Sequence, residues 1–139
     1  MKDFFFKVAP YVKNPFSVLL MSGEETDCSR YCIAGWDPLF VVSSKGNEAR
    51  IWDKRKDAIE RLSPSDALLF IDKIIDQISK KIPYRDDPFV GGFMGYISYE
   101  FKNVIEPHLP QKAKDDLGLP DLFFIFPSKV AVFDKKKLN

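Results

Sequence analysis

Imidazole, thiol and carboxylate groups supply most enzyme chemistry, and this sequence offers few of them in a productive pattern. Its single histidine, His108, lies among prolines in a segment typical of a surface loop. A nucleophilic triad requires a positioned base, and a structural zinc ion requires four ligands. Because Cys28, Cys32 and His108 are too few and unfavourably spaced for either, the sequence predicts no catalytic residue and no metal site in this chain.

The glycine-rich segment Gly91-Gly92-Phe93-Met94-Gly95 is the other candidate for chemistry. Phosphate-binding loops contain G-x-G-x-x-G, or a glycine followed by Lys-Ser or Lys-Thr, and neither pattern is present. Since its glycines lie among apolar residues, the segment is interpreted as a kinked core strand. Carboxylates are plentiful elsewhere, but no pattern places two of them in one cavity.

Composition indicates one globular domain covering residues 1–139, with 45% hydrophobic and 29% charged residues, close to the usual averages. A formal net charge of +1 disfavours a nucleic-acid partner, which requires a basic surface. No run approaches the roughly 20 apolar residues of a membrane span, and no signal peptide is expected. Because Cys28 and Cys32 are interpreted as reduced thiols, we expect a cytoplasmic protein. The basic run 135–137 is expected to be a solvated tail.

Short apolar runs separated by turn signals indicate an antiparallel sheet. Phe4, Phe6 and Val8 alternate and predict a first strand ending near Pro10. Further strands are predicted at 16–21, 30–35, 39–42 and 49–52, with a hairpin turn over 43–47.

The strongest strand candidate is 122–133, in which Pro127 implies an edge or a bulge. Alternate apolar residues are predicted to share one face of it: Leu122, Phe124, Phe126, Val130 and Val132.

One helix is predicted, at about 66–81. Ser63 supplies an N-cap and Pro64 suits the first helical position. An isoleucine stripe at helical spacing follows, and it is expected to pack on one face of the sheet with Ile75 in the core: Ile71, Ile74, Ile75, Ile78 and Ile82. The expected fold class is therefore α+β.

Four segments carry a resemblance. They are Leu19-Leu20-Met21-Ser22, then Ser29-Arg30-Tyr31 with Gly35-Trp36-Asp37-Pro38, then Gly91 to Glu100, and finally Asp116 to Leu122, which leads into Val132-Phe133-Asp134. In this order they resemble the amino-terminal domain of component I of anthranilate synthase and of aminodeoxychorismate (para-aminobenzoate) synthase. The resemblance covers nearly the whole chain.

The resemblance implies a non-catalytic domain. Members of this family bind chorismate and magnesium in a large carboxyl-terminal domain and accept ammonia from a glutamine amidotransferase partner. All residues for that chemistry would lie beyond position 139, so this chain alone is expected to be inactive and to hold no cofactor. An apolar surface near 16–22 and 91–99 is expected where the catalytic domain packs, and it would permit a homodimer of the isolated domain.

The resemblance also implies a site. Ser22, Arg30 and Tyr31 match family positions that line one wall of a tryptophan pocket. A hydroxyl and a guanidinium can hold the charged ends of an amino acid. Met21 departs from the pattern, because inhibitable anthranilate synthases have glutamate there, and this favours the aminodeoxychorismate branch. Without a ligand, Ser22 would cap a turn through Gly23 and Arg30 would be a surface arginine.

Two other functions fit the residues. A stand-alone module that binds a small molecule or an amino acid would differ from the first interpretation in having no catalytic continuation. A nucleic-acid-binding β-domain would use the aromatic strands, but the neutral charge balance disfavours it.

Overall fold

The computed structural model describes residues 2–23, 29–83, 85–108 and 115–138, so Cys28 lies outside the described residues. The helices are α1 (Lys2–Val12), α2 (Pro64–Ser79) and α3 (Lys102–Ile105), with 3₁₀ turns at Tyr99–Phe101 and Lys135–Leu138. The strands are β1 (Val18–Leu20), β2 (Tyr31–Lys45), β3 (Glu48–Asp53), β4 (Ala58–Leu62), β5 (Met94–Ile97) and β6 (Leu122–Asp134).

All strand pairs are antiparallel and form one sheet in the order β4-β3-β2-β6-β5, with β1 beside β2. The α+β class with a mainly antiparallel sheet is thus confirmed. The pairing of β2 with β6 runs from Tyr31 with Asp134 to Ser44 with Leu122, so these two long strands form the centre of the sheet.

The first predicted strand is wrong, because residues 2–12 form α1. Phe4 and Val8 are four residues apart and are both buried against Cys32 and Ala34 of β2, whereas Phe6 is exposed. Phe4, Phe6 and Val8 alternate as in a strand, but Phe4 and Val8 also have the spacing of four that places two residues on one face of a helix. Pro10 lies inside the helix rather than at its end.

The two strands predicted at 30–35 and 39–42 are one strand, β2. Asp37 has a positive φ of 55°, and the register against β6 shifts between Pro38 and Phe40. The irregularity expected at Pro127 is therefore present, but the extra residue lies on β2, opposite Pro127. Strand β4 was not predicted, because its residues are mostly exposed and its apolar pattern is weak.

Helix α2 begins as predicted. The Ser63 hydroxyl accepts a hydrogen bond from the Asp66 N–H at 3.1 Å, and Pro64 is the first helical residue. Ala67, Ile71 and Ile74 pack against the buried sheet cluster that includes Phe40, Val42, Ala49 and Ile51. The expectation that Ile75 lies in this core is wrong, because its side chain is 46% exposed.

The segment predicted as a kinked core strand is split. Gly91 and Gly92 have φ values of 144° and 135° and precede the short strand β5. A Cβ atom on Gly95, within β5, would lie 1.9 Å from the carbonyl oxygen of Phe123. Close backbone approach therefore explains this glycine.

Candidate functional site

Ser22 and Tyr31 are brought together by the pairing of β1 with β2. Leu20 is the register partner of Ile33, so the chain just after β1 lies beside the start of β2. The Ser22 hydroxyl donates a hydrogen bond to the carbonyl oxygen of Tyr31. This hydrogen bond links the chain after β1 to the start of β2. The Ser22 hydroxyl oxygen can still accept a hydrogen bond from another group.

Arg30 is bonded to Asp134 at the end of β6. Its Nε and Nη2 donate to the two carboxylate oxygens at 2.9 and 2.6 Å. The hydrogen bond to Asp134 raises the pKa of Arg30 above its ordinary value. The guanidinium also lies over the Tyr31 ring, 4.8 Å from its centroid. Arg30 is therefore not a free surface arginine, because its bidentate face is already engaged.

Lys135 is a site residue that the sequence did not indicate. Its Nζ donates to the carbonyl oxygens of Ser22 and Gly23 at 3.1 and 3.0 Å, and its backbone N–H donates to the Arg30 carbonyl at 3.0 Å. The expectation of a solvated tail is wrong at this residue. The carboxyl end of β6 is thereby tied to both predicted ligand segments.

Arg30 and Tyr31 line a cleft of about 450 Å³ together with Asp86, Asp87 and Asp134. Val132, Phe133 and Pro88 complete the lining. Ser22 is not among these residues, so the three predicted ligand residues do not share one wall of this cleft. Three carboxylates beside one arginine favour a cationic group inside it.

Apolar residues line one side of the β1-β2-β6 region of the sheet. Cys32 and Ala34 of β2 point toward α1, and alternate residues of a strand point to opposite faces. Two cross-strand rows therefore lie on the side away from α1: Val18, Gly35 and Val130, and Leu20, Ile33 and Val132. We call these six residues the open face.

The open face is continuous with a buried cluster of Val41, Met94 and Ile125, against which Val18 and Ile33 pack. The Phe16 and Tyr96 rings stack on Phe123 in the same cluster. Leu20 and Val132 remain 48% and 39% exposed. Exposed apolar side chains are therefore present in both segments where an apolar surface is expected, at Leu20 and at Ile97, which is 54% exposed.

None of the helices within the described residues is long and apolar enough to span a membrane. Likewise, the described part of the chain contains no group of three potential metal-ligating side chains placed to hold an ion. His108 is exposed, and among the described residues it makes an ion-pair contact with Glu106 at 3.7 Å.

Comparisons with known proteins bear on these features. No protein-family model matches the sequence. Over 127 residues, or 90% of the chain, it is 35% identical to anthranilate synthase component 1 of Thermus thermophilus. It is 28% identical over 116 residues, or 78% of the chain, to aminodeoxychorismate synthase component 1 of Bacillus subtilis.

A solved structure of a component I protein has a similar fold. The crystal structure of anthranilate synthase component I from Streptococcus pneumoniae TIGR4 matches 95% of the chain with a TM-score of 0.58 at 22% identity. In each case the chain spans only about a quarter of the other protein: 25%, 22% and 27%, respectively. The resemblance to component I is confirmed for most of this chain and for a part of those proteins.

Proposed function

Because the chain resembles a quarter of component I of anthranilate and aminodeoxychorismate synthases, we propose that it is the non-catalytic amino-terminal part of such an enzyme. The observation that carries this proposal is the 35% identity over 90% of the chain, which covers 25% of the Thermus protein. The remaining three quarters of the enzyme would bind chorismate and magnesium and would receive ammonia from a glutamine amidotransferase. The location would be cytoplasmic.

The open face supports this assignment as the surface that meets the catalytic part. One side of the β1-β2-β6 region is covered by α1, whereas Leu20, Val130 and Val132 on the other side are exposed. Isolated domains rarely expose contiguous apolar rows of this kind unless another domain covers them. If the catalytic part covered these side chains, the association of the two parts would gain about 25 cal/mol of free energy for each Å² of apolar surface removed from water.

The predicted ligand residues give the domain a second role. Arg30 and Tyr31, which line the cleft, and Ser22, which hydrogen-bonds to the Tyr31 carbonyl from outside it, would form the half of a tryptophan site that the catalytic part completes. Met21 supplies no negative charge for the ligand's ammonium group, but the neighbouring cleft contains Asp86 and Asp87 beside Arg30. These two carboxylates would be the acidic groups available to the ammonium group in that cleft.

A chimera tests the assignment. This chain should replace the matching quarter of the Thermus protein, and anthranilate formation from chorismate and ammonia should be measured. We expect activity from the chimera and none from this chain alone. Val132→Asp should abolish the activity, because a carboxylate would be buried in the domain interface.

Leu69→Asp is the matched control, since Leu69 lies on α2, is exposed and is not part of the open face. A chimera that folds but is inactive, or that is equally impaired by both substitutions, contradicts the proposed function.

A further inference from the structure

A second cavity, separate from the predicted tryptophan half-site, lies between the end of α2 and the segment 85–93. Its volume is about 540 Å³, within the range of small-molecule sites. Most of its lining is apolar: Ile75, Ile78, Ile82, Phe89, Val90 and Phe93. We call it the α2 groove.

The backbone of residues 85–93 belongs to no helix or strand. Among the described residues, none of these backbone groups hydrogen-bonds to another backbone group. The φ values of Gly91 and Gly92, 144° and 135°, belong to a region that favours glycine. A Cβ on either residue would meet only ordinary contacts, at 3.7 Å from Ile82 and 3.8 Å from Phe89. The glycines therefore set the path of the chain along the groove.

Arg85 gives the α2 groove a positive charge. It is exposed, it lines the groove, and it makes no hydrogen bond or ion pair with a described residue. The two acids that follow it, Asp86 and Asp87, line the cleft beside Arg30 instead. The carboxyl end of α2 contributes about half a negative charge, which is less than the full charge of the guanidinium.

We propose that the α2 groove binds small amphipathic carboxylates, with the apolar body against the isoleucines and the carboxylate at Arg85. A guanidinium is a donor suited to a carboxylate, which it can bind through two parallel hydrogen bonds. The inference does not depend on the proposed function, because none of the groove residues belongs to the open face or to the tryptophan half-site.

Three ligands with one apolar body and different head groups test this proposal on the whole chain. They are 4-phenylbutyrate, 4-phenylbutanol and 4-phenylbutylamine, titrated against protein labelled at the isoleucine δ1 methyl groups. We expect 4-phenylbutyrate to bind most tightly and to shift the methyl resonances of Ile75, Ile78 and Ile82. The methyl groups of Ile33 on β2 and Ile97 on β5 lie outside the α2 groove, so shifts there would report binding to the sheet instead.

The second part of the experiment removes the positive charge of Arg85. Arg85→Gln should weaken 4-phenylbutyrate binding by about fivefold, the upper range for an exposed charge pair, and leave the alcohol unaffected. Arg61→Gln, on the exposed strand β4, is the matched control and should change neither.

The proposal is overturned by shifts confined to Ile33 and Ile97, or by no shifts at millimolar ligand. Equal affinities for the three head groups, or unchanged binding in Arg85→Gln, would also overturn it.

Discussion

At the scale of single residues, Gly95 carries the tightest steric constraint on β5. A Cβ there would lie 1.9 Å from Phe123 O and 2.8 Å from Phe124 Cα. Both atoms belong to the backbone of β6, so no side-chain rotation can relieve the overlap. The β5–β6 pairing must shift before any side chain fits.

We therefore expect Gly95→Ala to lower the free energy of unfolding by about 2–3 kcal/mol, as for other overpacked sites. Gly23→Ala is the control, because no described atom lies within 4 Å of a Cβ at that position, and it should change stability by less than about 0.5 kcal/mol. Urea denaturation measures both. Equal stability of the two variants would show that β5 does not lie this close to β6.

Asp53 is a second residue with a defined energetic role. It ends β3 and accepts hydrogen bonds from the Arg55 backbone N–H at 2.9 Å and from the Arg55 guanidinium at 3.2 and 3.0 Å. The side-chain hydrogen bond from Arg55 is the main cause that lowers the pKa of Asp53. The ionised carboxylate thus stabilises the turn between β3 and β4.

Because the folded-state pKa is lowered, this stabilisation is present above the unfolded value of about 4 and is lost as the pH falls through the folded value. Asp53→Asn should therefore destabilise the protein at pH 7, and the difference from wild type should shrink progressively in acid. Asp72→Asn, at an exposed position of α2, is the control. Thermal unfolding at a series of pH values checks this expectation, which a pH-independent difference would contradict.

At the scale of elements, α2 shows which side of a helical stripe the sheet covers. The isoleucines at 71, 74, 75 and 78 share a broad face by spacing alone. The sheet covers the side with Ala67, Ile71 and Ile74, whereas Ile75 and Ile78 line the α2 groove. The stripe is therefore divided between the core and the surface of the α2 groove.

Truncations of two neighbouring isoleucines measure this division. Ile71→Ala should cost about 2 kcal/mol or more as a core truncation, and Ile75→Ala should cost less than about 1 kcal/mol. The two substitutions change helix propensity equally, so the difference between their effects on the free energy of unfolding reports how deeply each side chain is buried. Chemical denaturation that ranks Ile75→Ala as the more damaging change would place the wrong face of α2 on the sheet.

At the scale of the whole molecule, the open face should govern association. We expect the isolated chain to self-associate with increasing concentration in sedimentation velocity, because pairing two open faces removes their apolar rows from water. Val132→Asp should restore a monomer, and Leu69→Asp, on α2, should not. A wild-type chain that stays monomeric at high concentration would argue against an uncovered docking face.

Under the proposed function, tryptophan binding would need the catalytic part as well as this chain. The isolated chain should bind tryptophan weakly or not at all in calorimetry, since effective sites enclose roughly 70% or more of a ligand and this chain would supply only half of the proposed site. A loss of about 100 Å² of apolar contact corresponds to roughly 2.5 kcal/mol. Micromolar binding abolished by Ser22→Ala would instead favour a stand-alone amino-acid-binding module.

The sequence alone determined those features that depend on near neighbours. The start of α2 follows from Ser63, Pro64 and Asp66, whose contacts span three residues. The hairpin between β2 and β3 turns at Gly46, whose φ of 54° favours glycine. The resemblance of four segments to component I could also be found from the sequence alone, because such a comparison uses residue types in order and needs no tertiary contacts.

Only the tertiary structure decided the features that join distant segments. The residues from Phe4 to Val8 alternate as in a strand and also recur at a spacing of four, and the sheet surface at Cys32 and Ala34 selects the helix. Arg30 meets Asp134 104 residues away, and Lys135 meets Ser22 113 residues away. No local pattern encodes such pairs, because strand order and register bring them together. The same long-range packing divides the isoleucine stripe of α2 and leaves Leu20, Val130 and Val132 of the open face exposed.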